Sequence, residues 1–113
     1  MNKYRLTKAG IDVNEGIHRF SENAALYEHF LTSFPDDPHF PALCDAVAQG
    51  NVTEAFAQAH ALKGVVGNLS MKRFYELLSP LVEQLRVGDM SQAAAEVAEM
   101  QAEYNEIIKA LGG

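Results

Sequence analysis

The sequence predicts an all-α protein, an up-down antiparallel four-helix bundle with a short extra N-terminal helix. Apolar residues recur at spacings of three and four through most of the 113-residue chain, as on the buried face of an amphipathic helix. Capping residues, glycines and prolines separate these stretches, and such residues begin and end helices. No segment has the alternation of a strand. Short connections between amphipathic helices make neighbours antiparallel.

The N-terminal part predicts a polar start and then two helices. Residues 1–10 hold few apolar groups, so we expect a loosely held tail. Asp12 is a suitable N-cap for a short helix that ends at Phe20, and Ser21 for a second helix that covers the stretch SENAALYEHFLTSF.

The stretch PDDPHFP interrupts this second helix. Its three prolines lack amide hydrogens and crowd the preceding turn, so we expect a break or a sharp bend. Pro41 suits the first position of the helix that resumes and continues to Gly50.

Two similar phrases, GNVTEAFAQAH and GDMSQAAAEVA, mark the later helix starts. Each begins with a glycine that ends one helix. Asn51 or Asp89 then acts as the cap, with Glu54 or Gln92 three residues on, which is a capping-box arrangement. The predicted helices cover residues 52–67, 71–87 and 90–111, with a kink at the internal proline of the second.

Length, charge and cysteine usage limit the function. The 113 residues suit one domain, residues 1–113. The formal net charge of −6 argues against nucleic acid and acidic membranes, which need a basic surface. No apolar run approaches the roughly 20 residues of a membrane span. Cys44 has no cysteine partner, so a reducing, cytoplasmic compartment fits.

A metal site is the weaker of two interpretations of the histidines. His18, His29, His39 and Cys44 show neither helical pairing nor a Cys-x-x-Cys motif, so we expect no bound metal.

The stretch AHALKGVVGNLS puts His60 among residues too small to shield it. At 100° per residue, His60 lies more than a quarter-turn from the centre of the core stripe. That stripe consists of Val52, Ala55, Ala59, Leu62, Val66 and Leu69. The helical neighbours of His60 are Phe56, Ala57, Lys63, Gly64 and Gly67. Each glycine in a helix costs up to about 1 kcal/mol of stability relative to alanine. The glycines beside the imidazole therefore indicate a functional rather than a structural role.

An exposed imidazole with open flanks and a nearby ammonium meets the needs of a phosphoryl acceptor. The unprotonated ring is a nucleophile, small residues admit a partner's active site, and Lys63 offsets incoming negative charge. The alternative is a plain surface histidine with small neighbours by chance.

AHALKGVVGNLS resembles the signature of histidine-containing phosphotransfer (HPt) domains. The stretches GIDVNEGIHRFSENAALYEHFLTSF and AVAQGNVTEAFAQAH are similar to the family as well, so the resemblance extends from about Gly10 to Leu111. It departs at Ser70, where glycine is frequent, and at PDDPHFP, where the family's helix is usually continuous. A free-standing bacterial member is expected.

The resemblance implies a phosphocarrier without kinase activity. His60 would carry phosphate, through Nε2, between aspartates of response-regulator receiver domains, with a hybrid sensor histidine kinase as a further partner. Lys63 would be the adjacent cation and Gly64 the close-approach position. Mg²⁺ would belong to the receiver, and this chain would need no cofactor.

Six residues are candidates for receiver docking: Phe56, Ala57, Gly64, Gly67, Lys72 and Arg73. Phe56 either anchors the partner or packs against a neighbouring helix, and Lys72 and Arg73 are either docking cations or solvated surface charges. An open histidine face favours a monomer. Two other hypotheses are a helical adaptor that never carries phosphate and a phosphoryl-accepting domain cut from a larger kinase.

Overall fold

The computed structural model describes residues 1–112 and is helical through most of them. Its helices are α1 (Lys3–Lys8), α2 (Val13–Arg19), α3 (Ala24–Thr32), α4 (His39–Ala48), α5 (Val52–Asn68), α6 (Lys72–Arg86) and α7 (Ala93–Ala110), with a short 3₁₀ helix at Phe34–Asp36. Within residues 1–112 the backbone forms no strand, only an isolated bridge between Ile11 and Met71. No helix of this part of the chain has the length and apolarity that a membrane crossing needs.

Helices α4 to α7 form the predicted four-helix bundle. Each packs against the next along the chain, and α7 returns to contact α4. Aromatic rings fill the middle of the bundle: Phe40 stacks on Tyr104 at 4.7 Å between centroids and meets Phe74 edge-on at 5.5 Å. The all-α prediction is confirmed.

The helix that carries the histidine begins where its cap predicts. The Asn51 side chain accepts a hydrogen bond from the amide of Glu54 at 3.1 Å. Helix α5 then runs to Asn68, one residue beyond the prediction. Helix α6 continues through Pro80 and covers Lys72–Arg86, close to the predicted residues 71–87.

The N-terminal residues are more ordered than expected. Residues 3–8 form α1, in which Leu6 is buried at 2% exposure. The Arg5 guanidinium donates to the carbonyl of Lys109, and Arg73 donates to the carbonyl of Lys8 at 3.1 Å. The prediction of a loosely held tail was therefore wrong. One leucine and two long-range hydrogen bonds secure this helix, and such contacts leave no periodic pattern in the sequence.

Two predicted helix starts in the first half of the chain were also wrong. Ser21 does not cap the second helix, because it adopts a left-handed conformation (φ 56°). Asn23 caps α3 instead, accepting from the amide of Leu26 at 3.0 Å. Pro41 is not the first residue of its helix, which begins at His39; the Asp37 carboxylate accepts from the His39 amide at 3.0 Å.

The last helix begins later than predicted. The Asp89 carboxylate accepts from both the amide and the hydroxyl of Ser91, at 2.9 and 2.7 Å. These bonds close a local turn, so Asp89 forms no capping box with Gln92. Helix α7 begins at Ala93 as a consequence.

Candidate functional site

Helix α5 separates a buried face from an exposed one, as its periodicity predicts. Ala55, Ala59, Leu62 and Val66 are fully buried, Leu69 nearly so, and Val52 partly. His60 is exposed. The helix therefore holds the imidazole at the surface while the opposite side is fixed in the core.

His60 lies in a groove of about 500 Å³ built from three helices. Its chemically informative lining residues are His60, Lys63, Gly64 and Gly67 of α5, Lys72, Tyr75 and Arg86 of α6, and Glu15 and Arg19 of α2. Four of the nine are cations and one is an acid. The groove is therefore a cationic region in a chain whose formal net charge is −6.

Phe56 supports the imidazole from one turn earlier on α5. The two rings stack with centroids 5.6 Å apart and an interplanar angle of 27°. The Arg86 guanidinium carbon lies 5.1 Å from the centroid of the Phe56 ring. Phe56 is half-buried and packs against the core. The bundle therefore holds the ring on which His60 stacks. Histidine-ring hydrogen bonds within residues 1–112 involve only His18 and His39, which leaves the nitrogens of His60 available to a partner.

The two glycines beside His60 have different structural reasons. A Cβ at Gly64 would enter open space, with no described neighbour within 4 Å beyond the adjoining helix backbone. A Cβ at Gly67 would come within 3.3 Å of the Tyr75 ring. Gly67 thus makes room for Tyr75, and the Lys63 ammonium lies 5.4 Å from the centroid of that ring. Packing explains Gly67 and does not explain Gly64.

A polar network closes the α2 end of the groove around the Glu15 carboxylate. Lys72 lies 2.6 Å from Glu15 Oε2, while Arg19 Nε and Ser70 Oγ donate to Oε1 at 3.2 and 3.1 Å. The hydrogen bond from Lys72 is the main reason why the pKa of Glu15 falls to about 2. The cap of α2, formed by Asp12 with the Glu15 amide, starts the helix that carries this carboxylate.

Ser70 occupies the position where glycine is frequent in the family signature, and its backbone conformation explains that preference. It is 1% exposed and has φ 56°, a left-handed conformation that glycine adopts without strain. The preference for glycine there has a backbone reason, and the Ser70 hydroxyl gains a hydrogen bond to Glu15 in this chain.

Three of the six docking candidates, Phe56, Ala57 and Arg73, do not line the groove, although Phe56 stacks on His60. The Arg73 side chain donates to the Lys8 carbonyl and to Glu103 Oε1 at 3.1 and 3.3 Å, so it secures α1 and α7. Ala57 is exposed on α5 but does not line the groove. Lys72 and Arg73 are sequence neighbours, and the helix turns their side chains towards different partners.

Four of the nine groove residues named above were not among the candidates from the sequence: Glu15, Arg19, Tyr75 and Arg86. None lies within a helical turn of His60 in the sequence. The packing of α6 beside α5 and the contacts of Glu15 with Ser70 and Lys72 bring them there, and no local pattern predicts these contacts.

The other histidines and the cysteine form no shared site. His18 Nδ1 lies 2.6 Å from Glu22, and His39 Nδ1 lies 2.7 Å from Asp37. Across residues 1–112 no three His, Cys, Asp or Glu side chains gather as a ligand set. Burial raises the pKa of the Cys44 thiol.

Comparison with known proteins adds one match. A family model described as "Hpt domain" matches residues 25–110, a segment that begins in α3 and includes His60 and the whole four-helix bundle. The comparisons with curated proteins and with solved structures gave no match.

Proposed function

The chain belongs to the Hpt domain family, and from that premise we propose that His60 carries the phosphoryl group of a two-component phosphorelay. Hpt domains are phosphocarrier modules of such relays in general. The observation that carries the proposal is the exposed imidazole of His60 in a cationic groove beside Gly64, where no packing contact calls for a glycine.

The proposed step is a reversible transfer between a carboxylate and an imidazole. The unprotonated Nε2 of His60 attacks the phosphorus of an aspartyl phosphate on a receiver domain. A P–N bond forms, the P–O bond to the aspartate breaks, and the electron pair of that bond remains on the receiver carboxylate. Transfer to a second receiver reverses these steps. Lys63 and Arg86 line the groove and offset the negative charge of the arriving phosphoryl group.

The division of labour follows from what the groove contains. It offers a nucleophile, cations and an open floor at Gly64. Phosphoryl transfer also needs a metal ion that neutralises the phosphoryl oxygens, and we assign Mg²⁺ to the receiver. In this proposal the chain has no kinase activity of its own and needs no cofactor.

The proposed partners are receiver domains of response regulators and a hybrid sensor histidine kinase. Such a relay places the protein in the cytoplasm. The His60 face must remain uncovered for docking, which supports a monomer.

A two-step relay experiment separates this function from that of an adaptor. The protein is loaded with labelled phosphate from one receiver domain, purified, and mixed with a second, unphosphorylated receiver. A carrier delivers the label to the second receiver. An adaptor binds one or both receivers, yet neither takes up nor passes on the label, and that result would replace the phosphocarrier proposal. His29 is an exposed histidine of α3. Its replacement by glutamine is the matched control for His60→Gln and should leave both steps unchanged.

A further inference from the structure

The groove extends beyond the part of the chain that the family model matches. The match begins at residue 25, but Glu15 and Arg19 line the groove from α2. The first 24 residues thus contribute side chains to the surface on which a partner would dock.

The Arg19 guanidinium is hydrogen-bonded through Nε, while its two Nη groups face no partner in the described part of the chain. Its Nε donates to Glu15 Oε1 at 3.2 Å, and its side chain is 49% exposed. Within residues 1–112 neither of its Nη atoms has a hydrogen-bonding partner. A guanidinium fixed through Nε presents its two Nη groups as a fork, and that fork matches a carboxylate.

Glu15 is the residue that fixes this orientation. Its carboxylate is itself anchored by Lys72 and Ser70, so its position does not depend on Arg19 alone. Because Glu15 leads Arg19 by four residues on α2, the ion pair lies along one helix face.

The position of this fork favours contact with a partner's side chain over contact with the phosphoryl group. Glu15 bonds Ser70 and Lys72, which follow the C-terminal end of α5. Asn68, the last residue of α5, lies eight residues after His60, or roughly 12 Å along the axis at the helical rise per residue. A phosphoryl group on His60 has Lys63 closer to it on the same helix.

We propose that Arg19 is a partner-recognition residue that binds a carboxylate on the docked receiver domain, and that Glu15 is the positioning residue for this contact. The inference rests on the proposed function, since it needs a receiver docked over His60. It assigns part of the partner specificity to α2, outside the matched segment.

The test measures binding of unphosphorylated receiver domains from the same genome by titration calorimetry, using the tightest binder for the variants. Arg19→Gln should weaken the affinity about tenfold, which equals about 1.4 kcal/mol. Arg19→Lys should weaken it nearly as much, because an ammonium cannot form the fork. Lys8→Gln removes an exposed cation outside the groove and should leave the affinity within about twofold.

Glu15→Ala separates positioning from general electrostatics. If charge alone matters, removal of the negative charge should raise the affinity for an acidic receiver. If Glu15 positions Arg19, its removal should lower the affinity several-fold. Transfer assays should show a raised KM for the receiver with little change in kcat for both Arg19→Gln and Glu15→Ala. Thermal unfolding of every variant checks that the fold is intact.

Two results would overturn the proposal: full recovery of affinity in Arg19→Lys, or the same affinity in Arg19→Gln as in Lys8→Gln. A scan of receiver Asp and Glu residues to amides should also identify one position whose change abolishes the Arg19 effect. The affinity is measured without phosphate, so the two proposals fail in different ways. If the Arg19 contact is absent, Arg19→Gln binds the receiver as tightly as the wild type does. If His60 does not carry phosphate, the receiver still binds but no label is transferred.

Discussion

The imidazole of His60 stacks on the ring of Phe56, with 5.6 Å between their centroids and 27° between their planes. Since Phe56 also packs against the core and faces Arg86, the orientation of the nucleophile depends on a side chain that the bundle holds in place. The sequence left two roles open for Phe56, and the structure supports the packing role.

Replacement of Phe56 by alanine should slow phosphoryl uptake by His60 several-fold, because the imidazole loses the ring that restricts its orientation. Phe56→Tyr keeps an aromatic ring and is the matched control. Initial rates of label transfer from a phosphorylated receiver are the measurement. Equal rates for the alanine and tyrosine variants would show that the stack has no role in transfer.

Gly64 should show opposite effects on stability and on transfer. Gly64→Ala meets open space and should raise the free energy of unfolding by up to about 1 kcal/mol, the helix-propensity difference. Gly64→Gln should retain the fold but slow transfer about tenfold or more, because its side chain occupies the approach to His60. Urea unfolding and transfer rates on the same samples test both effects. Loss of stability in Gly64→Ala would contradict the open-space geometry.

Lys63 should matter for transfer more than for stability. Its ammonium is partly exposed and lies over the Tyr75 ring, so Lys63→Gln should change the free energy of unfolding by less than about 1 kcal/mol. The same change should reduce the transfer rate about fivefold to tenfold through lost charge stabilisation. Lys63→Arg should retain much of the rate, and Lys109→Gln, an exposed cation outside the groove, should retain all of it. A rate in Lys63→Gln equal to that of Lys109→Gln would remove Lys63 from the site.

The acid dependence of stability should reveal the Glu15 network. The pKa of Glu15 falls from 4.5 to about 2 in the folded chain, mainly through the hydrogen bond from Lys72. The unfolded state therefore binds more protons between these values, and the Glu15 contribution is present above pH 4.5 and is lost as the pH falls towards 2. Urea unfolding should show a stability difference between wild type and Glu15→Gln that shrinks over this interval. A difference that stays constant with pH would place the effect of the substitution elsewhere.

Helical periodicity was sufficient to predict the central part of the site. Because Ala55, Ala59 and Leu62 define a core stripe, His60 has to be exposed, and the structure confirms this. The Asn51 cap fixed the start of the same helix. Both inferences concern residues within one helix, where the spacing along the chain determines the geometry.

Contacts between helices account for what the sequence did not predict. Arg73 has the charge and location of a docking residue, but the Lys8 carbonyl and Glu103 engage its side chain. Arg19 was not among the candidates from the sequence, and only the position of α2 beside the start of α6, where Glu15 contacts Lys72, gives it a place in the groove. Local turns, by contrast, account for two helix starts that were predicted wrongly. Ser21 adopts a left-handed conformation and Asp89 forms an Asx turn with Ser91, so neither residue caps a helix.

The most direct test of the account is transfer of labelled phosphate from a phosphorylated receiver domain to the wild-type protein and to His60→Gln, with both proteins checked for an unchanged fold. Phosphoramidate chemistry predicts label on the wild type that is labile in acid and stable in alkali, and no label on His60→Gln. Label that persists on His60→Gln would place the phosphoryl group on another residue and would contradict the assignment of His60.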